Sequence, residues 1–364
     1  MEFCIENAYL KVTVTDWGAQ VKSVIRKCDG AEHIWQADPA VWGYHAPILF
    51  PYCGRLKDGK LEAKGRVYDC TAQHGFARTA THRLVEQTGE KIVMELTESP
   101  ETLAVFPWRF RLLSVFTLDG DTLNHTLQVE NPGDEMLSFG IGYHPAFAIP
   151  FDDKHTYADY ELRFSEMESP LCLGTAPKGL VNGEIYSLGT NLTTIPVTAG
   201  MFDNDSHCMV NVKSGRLGLY EKDTGRGVVC DIGDFPYCLL WSKPGVPPFI
   251  CIEPWHSLPS YEFGSCKWEE KAAAATVAPA KAGAPPSKRH LSDKLLFIAV
   301  TGIHQPPTPM SFRGSVATVG ISRYNECFCA AGRWMVPGDC HVGLRPPRND
   351  SGGRNLVPFL SHRL

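Results

Sequence analysis

The sequence predicts an all-β protein built as a large antiparallel sandwich or barrel. Many short segments alternate apolar and polar residues, turn residues such as Asp-Gly and Asn-Pro-Gly separate them, and no amphipathic helix longer than about ten residues precedes residue 267. Short strands at regular spacing with turn signals are typical of this fold class. The hydrophobic content of 43% and the charged content of 21% fit a globular protein that buries a core.

The predicted strands begin with a hairpin. Residues 8–14 and 20–26 each alternate, and Asp16-Trp17-Gly18 forms the turn between them. The clearest signal lies at residues 109–131, where alternating runs flank the turn Asp119-Gly120. Further strands are predicted at residues 47–55, 92–97, 137–141, 160–164, 209–212, 216–220, 227–232, 237–241 and 249–252.

The last of these strands runs directly into a carboxylate. Pro254 has no N–H and restricts the residue before it, so we expect the strand to end there and Glu253 to lie half out of the core, beside Trp255. A carboxylate held against an aromatic ring in a partly dry pocket has the environment of a catalytic acid or base. The alternative is a solvated glutamate at a strand end.

The composition excludes several function classes. The net charge of -5 gives no indication of nucleic-acid binding, and no apolar run is long enough to span a membrane as a helix. The first residues lack a basic segment followed by an apolar one, so we expect no secretory signal. Thirteen cysteines without an export signal indicate reduced thiols. The sequence thus predicts a cytoplasmic protein with no nucleic-acid or membrane partner.

The composition changes near residue 280. Residues 281–364 carry 11 Lys and Arg against 4 Asp and Glu, with 9 Pro and 9 Gly, and 295–300 is their one apolar run. We therefore expect a domain at 1–280 and an atypical basic extension at 281–364 that is disordered or outside the fold. A shifted reading frame or a fused fragment would look the same. The tail cysteines and histidine have no standard zinc spacing, so no metal site is predicted there: Cys327, Cys329, Cys340 and His341.

Four places could carry chemistry. His74 lies before a glycine in a polar loop, His144 ends an apolar strand at Pro145, Arg55 follows another strand, and Glu253 is described above. Taken singly, each has a plain alternative: a surface histidine, a core histidine, a surface salt bridge and a solvated carboxylate. Gly140 and Gly142, just before His144, would allow a ligand to approach the backbone.

Together these residues predict a proton-transfer site. The chain has no nucleotide-binding or serine-hydrolase motif. The histidines are too few and too scattered to predict a zinc triad, although two histidines and a glutamate could in principle bind one zinc ion. Aromatic residues expected near the site would suit the C–H face of a sugar ring; they are Trp35, Trp42, Tyr143 and Trp255.

Three segments resemble a known family in order and spacing: His74-Gly75-Phe76-Ala77-Arg78, Gly142-Tyr143-His144-Pro145-Ala146-Phe147 and Ile252-Glu253-Pro254-Trp255. The chain is similar to aldose 1-epimerases (the galactose mutarotase family), most of all to the branch described as LacX-like, over residues 1 to about 275. The resemblance implies a β-supersandwich, a sugar cleft on one concave sheet, and no cofactor or metal.

The resemblance also implies roles for individual residues. Glu253 matches the family's general base and His144 its general acid, and the reaction needs Glu253 ionised and His144 protonated. We expect the neighbouring carboxylate to favour the charged imidazole. His74 matches the histidine near the ring oxygen and Arg55 the substrate-binding arginine. A family aspartate falls near residues 202–205, where we choose Asp205.

The function that this resemblance implies is the interconversion of the α and β anomers of a hexose, with Arg78 and Trp255 also binding the substrate. The partner is then a small sugar, and we expect a monomer or a weak homodimer. One alternative is a hexose-6-phosphate 1-epimerase, for which Arg78 and Lys243 are the available cations. Another is a non-catalytic sugar-binding protein on the same fold. The family's last strand is missing here or is replaced by residues 295–300.

Overall fold

Two large antiparallel sheets form the body of the structure. The computed structural model describes residues 1–233, 235–271 and 274–279, and the backbone of one further strand. These belong to a unit that spans Met1–Gln305. In chain order the strands are β1 Glu2–Glu6, β2 Leu10–Thr15, β3 Val21–Arg26, β4 Ile48–Leu49, β5 Lys60–Ala63, β6 Arg66–Asp69, β7 Arg83–Gln87, β8 Lys91–Thr97, β9 Arg111–Asp119, β10 Thr122–Asn131, β11 Leu137–Phe139, β12 Ile141–Tyr143, β13 Ala146–Ala148, β14 Tyr160–Glu168, β15 Leu171–Leu173, β16 Ile185–Ser187, β17 Leu192–Pro196, β18 His207–Met209, β19 Arg216–Glu221, β20 Gly227–Asp231, β21 Tyr237–Trp241, β22 Phe249–His256, β23 Ala275–Val277 and β24 Ser287–Thr301. One short helix, α1, spans Pro100–Leu103.

Within each sheet, the neighbouring strands pair in antiparallel orientation. The first has nine strands in the order β17-β14-β19-β20-β24-β10-β9-β8-β7. The second has eight, in the order β16-β15-β18-β21-β22-β12-β4, and β13 also pairs with β22. Smaller sheets are formed by β1-β2-β3, by β5-β6 and by β11-β23. The all-β antiparallel fold predicted from the alternation is confirmed.

The core lies between the two large sheets, because one face of each is apolar. Phe116 of β9 and Leu127 of β10 belong to the same buried cluster as Ile250 and Ile252 of β22. Successive residues of a strand point to opposite faces, so burying Ile250 and Ile252 turns their neighbours to the other side of the sheet. Those neighbours, Cys251 and Glu253 among them, form the face on which the functional site lies.

Most predicted strands are present. The hairpin of β2 and β3 and the hairpin of β9 and β10 are confirmed, with Thr122 paired to Asp119 next to the turn. The strand predicted at 209–212 lies earlier, at His207–Met209.

The end of β22 differs from the prediction. The strand continues through Pro254 to His256, and Glu253 is only 1% exposed instead of half out of the core. Pro254 is opposite Cys238 of β21, but on its other side the registers of β13 and β12 cover residues 249–251 and 255–256. Pro254 thus occupies a gap in the pairing, where a missing N–H costs no ladder hydrogen bond.

A strand beyond residue 280 takes part in the nine-stranded sheet. The backbone of β24 pairs with β10 and with β20, so it lies between them. This agrees with the alternative in which residues 295–300 supply a closing strand, and it extends the paired sheet past the domain boundary expected at 280. Residues 302–364, including the four tail cysteine and histidine positions, lie outside the described residues. Among those described, no helix is long and apolar enough to cross a membrane.

Candidate active site

A cavity of about 700 Å³ opens on the face of the eight-stranded sheet that carries Glu253. The seven side chains predicted to act on or bind the substrate line it: Arg55, His74, Arg78, His144, Asp205, Glu253 and Trp255. They come from segments spread over 200 positions of the chain. Their roles stay predictions, but the fold places them around one space.

Glu253 and His144 lie next to each other because of strand register. Gly142 is opposite Trp255 and Ala146 is opposite Cys251, so the same register continued across the gap places His144 opposite Glu253. Directly opposed residues in an antiparallel pair have adjacent side chains. The distance from His144 Nε2 to Glu253 Oε2 is 3.3 Å, and both residues are buried. The arrangement suits transfer of protons to and from one bound molecule.

Burial dominates the electrostatics of Glu253. Desolvation raises the pKa of this carboxyl group well above its usual value, and the carboxylate of Asp205 adds to the effect. The guanidinium of Arg78 acts in the opposite direction. Oε2 of Glu253 has no hydrogen-bond partner. The surroundings of Glu253 therefore favour its neutral carboxyl group, which becomes a base only after it loses that proton.

The sequence predicted a charged His144, but its buried position favours the neutral imidazole. Burial lowers the pKa of His144 to about 3, and the charge of Arg78 also lowers it. The sequence argument expected a charged imidazole because of the nearby carboxylate, but desolvation outweighs that attraction. The two groups still hold one proton between them, whether it lies on Glu253 or on His144. The pair is a neutral unit in both forms.

His74 is held in one tautomer by the backbone. The N–H of Gly54 donates to Nδ1 of His74 over 3.0 Å, so the remaining ring proton of neutral His74 lies on Nε2. Burial lowers the pKa of His74 well below its usual value, which keeps the ring neutral. His74 has a φ of +65°, and a Cβ on the following Gly75 would lie 2.2 Å from the carbonyl oxygen of Phe50. The His-Gly pair is therefore required by this tight turn.

Two arginines reach the cavity from different depths. Arg78 is partly buried, with its guanidinium carbon 3.9 Å from the centre of the Tyr44 ring. Its buried Nε has no hydrogen-bond partner. Arg55 is exposed and forms no ion pair with the residues that the structure describes. Both cations are thus available to oxygen atoms of a ligand.

The geometry distinguishes Asp205 from its neighbour. Asp205 lines the cavity, and Oδ2 accepts a hydrogen bond of 3.4 Å from Thr175. Asp203 is exposed, and its Oδ1 accepts the N–H of Gly245. Asp205 also has a φ of +72°, a conformation that a non-glycine residue adopts rarely and often at functional sites. The choice of Asp205 agrees with this placement.

The aromatic surroundings were predicted only in part. Trp42 stacks on His144 with ring centres 5.1 Å apart, and Trp241 meets His144 edge-on at 5.7 Å. Trp35 does not line the cavity and packs on Phe249 instead. Tyr143 is in the core, where its hydroxyl donates to the carbonyl oxygen of His125.

The sequence did not predict some residues that line the cavity, and it predicted a wrong role for Gly142. Trp241 ends a predicted strand in phase with Leu239, so the alternation could have placed it on the Glu253 face. Thr175 and Gln73 lie in loops whose sequence carries no such signal. Gly142 does not serve ligand approach, because a Cβ there would lie 2.8 Å from the Trp255 ring. Gly142 makes room for Trp255.

One set of potential metal ligands adjoins the site. The ligand atoms of His144, Cys251 and Glu253 lie within 4.8 Å of one another, and all three residues are buried. The side chain of Cys251 is not needed for proton transfer and does not line the cavity.

Comparisons with known proteins identify the family of this chain. The model of the family described as aldose 1-epimerase matches residues 1–264. The plasmid-encoded protein LacX of Lactococcus lactis subsp. lactis is 32% identical over 265 residues, which cover 70% of this chain and 87% of the relative.

Solved structures give the same result. A galactose mutarotase related enzyme from Lactobacillus acidophilus is 27% identical with a TM-score of 0.76, covering 83% of this chain and 98% of that one. A galactose mutarotase-like protein from Lactobacillus casei ATCC 334 is 26% identical with a TM-score of 0.72, covering 82% and 99%. The similarities support an isomerase that acts on carbohydrates. The chain belongs to the aldose 1-epimerase family.

Proposed function

We propose that this protein is a mutarotase that interconverts the α and β anomers of a hexose by opening and closing the sugar ring. The observation that carries the proposal is the pair of Glu253 and His144, 3.3 Å apart and buried at the cavity. The two oxygens of a hemiacetal are bonded to the same carbon, so an acid and a base this close can reach both together.

The proposed reaction moves two protons in each direction. Glu253 takes the proton of the C1 hydroxyl while His144 gives a proton to the ring oxygen, and the bond from C1 to the ring oxygen breaks. The product is an open-chain aldehyde. Rotation about the C1–C2 bond exposes the other face of the aldehyde, and closure returns both protons. General acid and base groups each contribute about 10²–10⁴-fold to such reactions.

The protonation states that burial favours fit one stage of this cycle. When the aldehyde is present, Glu253 holds a proton and His144 is neutral, which is the form that burial favours. The reactive form requires the proton to move to His144. The charge of Arg78 favours the carboxylate of Glu253 but disfavours a charged His144, so polar sugar hydroxyls would have to supply the stabilisation of the ionised pair. His74 would donate its Nε2 proton towards the ring oxygen, while Arg55 and Asp205 would contact hydroxyl groups.

A phosphorylated sugar is the second candidate, because more cations line the cavity than the sequence suggested. Lys178 and Lys243 lie on its wall together with Arg55 and Arg78. Of these, Lys178 has a carboxylate partner, Glu262 at 3.6 Å. The exposed guanidinium of Arg55 and the ammonium group of Lys243 form no ion pair with the described residues, and they would suit a phosphate at the mouth of the cavity.

A polarimetric assay tests both candidates. Freshly dissolved α-glucose, α-galactose and glucose 6-phosphate are followed with and without the purified protein at equal concentration. The proposal expects faster approach to the equilibrium rotation for at least one free hexose. A rate increase for glucose 6-phosphate alone would favour the second candidate, and no increase for any sugar would contradict both.

Further aspects follow as part of the proposal. The reaction needs no cofactor, since both protons move between side chains and substrate. The partner is a small sugar, and we propose that the protein acts in the cytoplasm as a monomer or weak homodimer. Gel filtration coupled to light scattering measures the oligomeric state directly.

A further inference from the structure

Cys251 lies beside the acid–base pair but has no part in the proposed reaction. It precedes Glu253 by two residues on the same face of β22 and is fully buried. Its partner in β13 is Ala146, which belongs to the same small buried cluster. A thiol, an imidazole and a carboxyl group therefore converge, with ligand atoms within 4.8 Å of one another.

The spacing of these atoms fits a tetrahedral metal ion. Two nitrogen or oxygen ligands at about 2.0–2.1 Å from zinc lie roughly 3.3–3.4 Å apart at the tetrahedral angle. The distance between His144 Nε2 and Glu253 Oε2 is 3.3 Å. A sulfur ligand at about 2.3 Å from zinc needs roughly 3.5 Å to each partner. Sγ of Cys251 lies within 4.8 Å of one ring nitrogen of His144 and one carboxylate oxygen of Glu253. A small side-chain movement completes the set.

An unsatisfied atom points into the same place. Oε2 of Glu253 has no hydrogen-bond partner although the residue is 1% exposed. Buried polar atoms without partners are costly and uncommon. A divalent cation bound to one thiolate, one carboxylate and one neutral imidazole forms a site with no net charge, which suits burial.

We propose that His144, Cys251 and Glu253 form an inhibitory site for a thiophilic divalent cation such as Zn²⁺. Three protein ligands leave a fourth position for water or a sugar hydroxyl from the cavity. The cation occupies the lone pair of His144 Nε2 and the carboxylate of Glu253, so neither group can exchange a proton with the sugar. The inhibition rests on the proposed mutarotase function, whereas the binding of the cation does not.

In a second cluster of potential metal ligands, an arginine already balances the negative charge of the carboxylates. Asp152, His155 and Glu221 also bring their ligand atoms together. However, Arg226 forms ion pairs with both Asp152 and Glu221 and supplies the positive charge there. A cation would have to displace this guanidinium. Among the described residues, no lysine or arginine forms an ion pair with Glu253, although the charge of Arg78 acts on both Glu253 and His144.

The test replaces the one ligand that is outside the proposed reaction. Cys251→Ala and Cys251→Ser remove the thiolate, and Cys230→Ala is the matched control, a buried cysteine in the other large sheet. Apart from positions 251 and 230, the unmodified chain and the three variants have the same cysteines. Each full-length protein is titrated with Co²⁺ to record the thiolate-to-cobalt absorption band, and with Zn²⁺ in the polarimetric assay. Circular dichroism shows whether each variant is folded. The test can be made with either Cys251 variant if the other fails to fold.

The expected result is a cobalt band that depends on Cys251 and a Zn²⁺ concentration for half inhibition that rises at least about tenfold in the Cys251 variants. Cys230→Ala should behave as the unmodified chain, and all variants should keep their metal-free rates. An unchanged band and unchanged inhibition without Cys251, or no thiolate band in the unmodified chain, would overturn the proposal. A Cys251-dependent band in a protein with no mutarotase activity would refute the proposed function but not the cation site.

Discussion

Replacing Glu253 by glutamine isolates the proposed base from the fold. Burial favours the neutral form of this carboxyl group, and Gln has the size and charge of a protonated Glu. We therefore expect Glu253→Gln to fold with an unchanged melting temperature. Sugar binding should survive as well, because the other six predicted side chains of the cavity are untouched.

The rate should nevertheless fall steeply. An amide cannot accept the C1 proton, and general base catalysis contributes about 10²–10⁴-fold, or roughly 3–5 kcal/mol of barrier. Asp205 is the other carboxylate among the described residues that line the cavity; it accepts a hydrogen bond from Thr175 and is assigned to sugar hydroxyl groups, so we do not expect it to replace Glu253 as the base. The remaining rate should therefore be at most about one hundredth of the original.

Polarimetry on freshly dissolved α-glucose or α-galactose measures the rate, and quenching of tryptophan fluorescence measures binding, since Trp42, Trp241 and Trp255 line the cavity. Glu90→Gln is the control, because that side chain is exposed and distant in sequence. A Glu253→Gln protein with more than about a tenth of the original rate would refute the assignment of the base.

Three further predictions follow from the same structure. His144→Asn should lower the polarimetric rate about 10²-fold or more while keeping sugar binding, and a variant of near-normal rate would show that another group is the acid. His82 is 1% exposed, and burial lowers its pKa to about 4. Because its pKa in the unfolded chain is about 6.5, the unfolded chain binds more protons than the folded one below that pH. The contribution of neutral His82 to the free energy of unfolding is therefore fully present above pH 6.5 and falls by up to about 3 kcal/mol as the pH drops towards 4. Melting temperatures from pH 7 to 4.5 should fall less steeply for His82→Gln, and identical slopes would contradict this. Removing residues 281–364 should lower the melting temperature, because β24 is lost from the centre of the nine-stranded sheet. Removing residues 306–364 is the control, since it retains every described strand. Equal melting temperatures of the two shortened chains would show that β24 adds no stability.

Local patterns determined most of the strands and the chemistry of the candidate residues. The alternation at 109–131 around Asp119-Gly120 is enough to predict β9 and β10, because a half-buried strand has a period of two. The nature of His74, His144 and Glu253 likewise indicated acid–base chemistry before any fold was known. Such inferences succeed because they depend on neighbours in the chain.

Long-range register decided the rest. His144 and Glu253 are more than one hundred residues apart, and only the pairing of β12 and β13 with β22 brings them to 3.3 Å. The same pairing leaves a gap at Pro254, so that β22 passes through a residue that should have ended it. Local sequence cannot show such a gap, since it belongs to the partner strand.

Burial also belongs to the tertiary structure alone. The sequence suggested a half-exposed Glu253 and a charged His144, but both groups are desolvated and favour their neutral forms. Desolvation depends on everything packed around a group, including Trp42 and Trp241 from distant segments. The sequence by itself determined which residues could exchange protons; the packed sheets decided where they meet and which of them holds the proton.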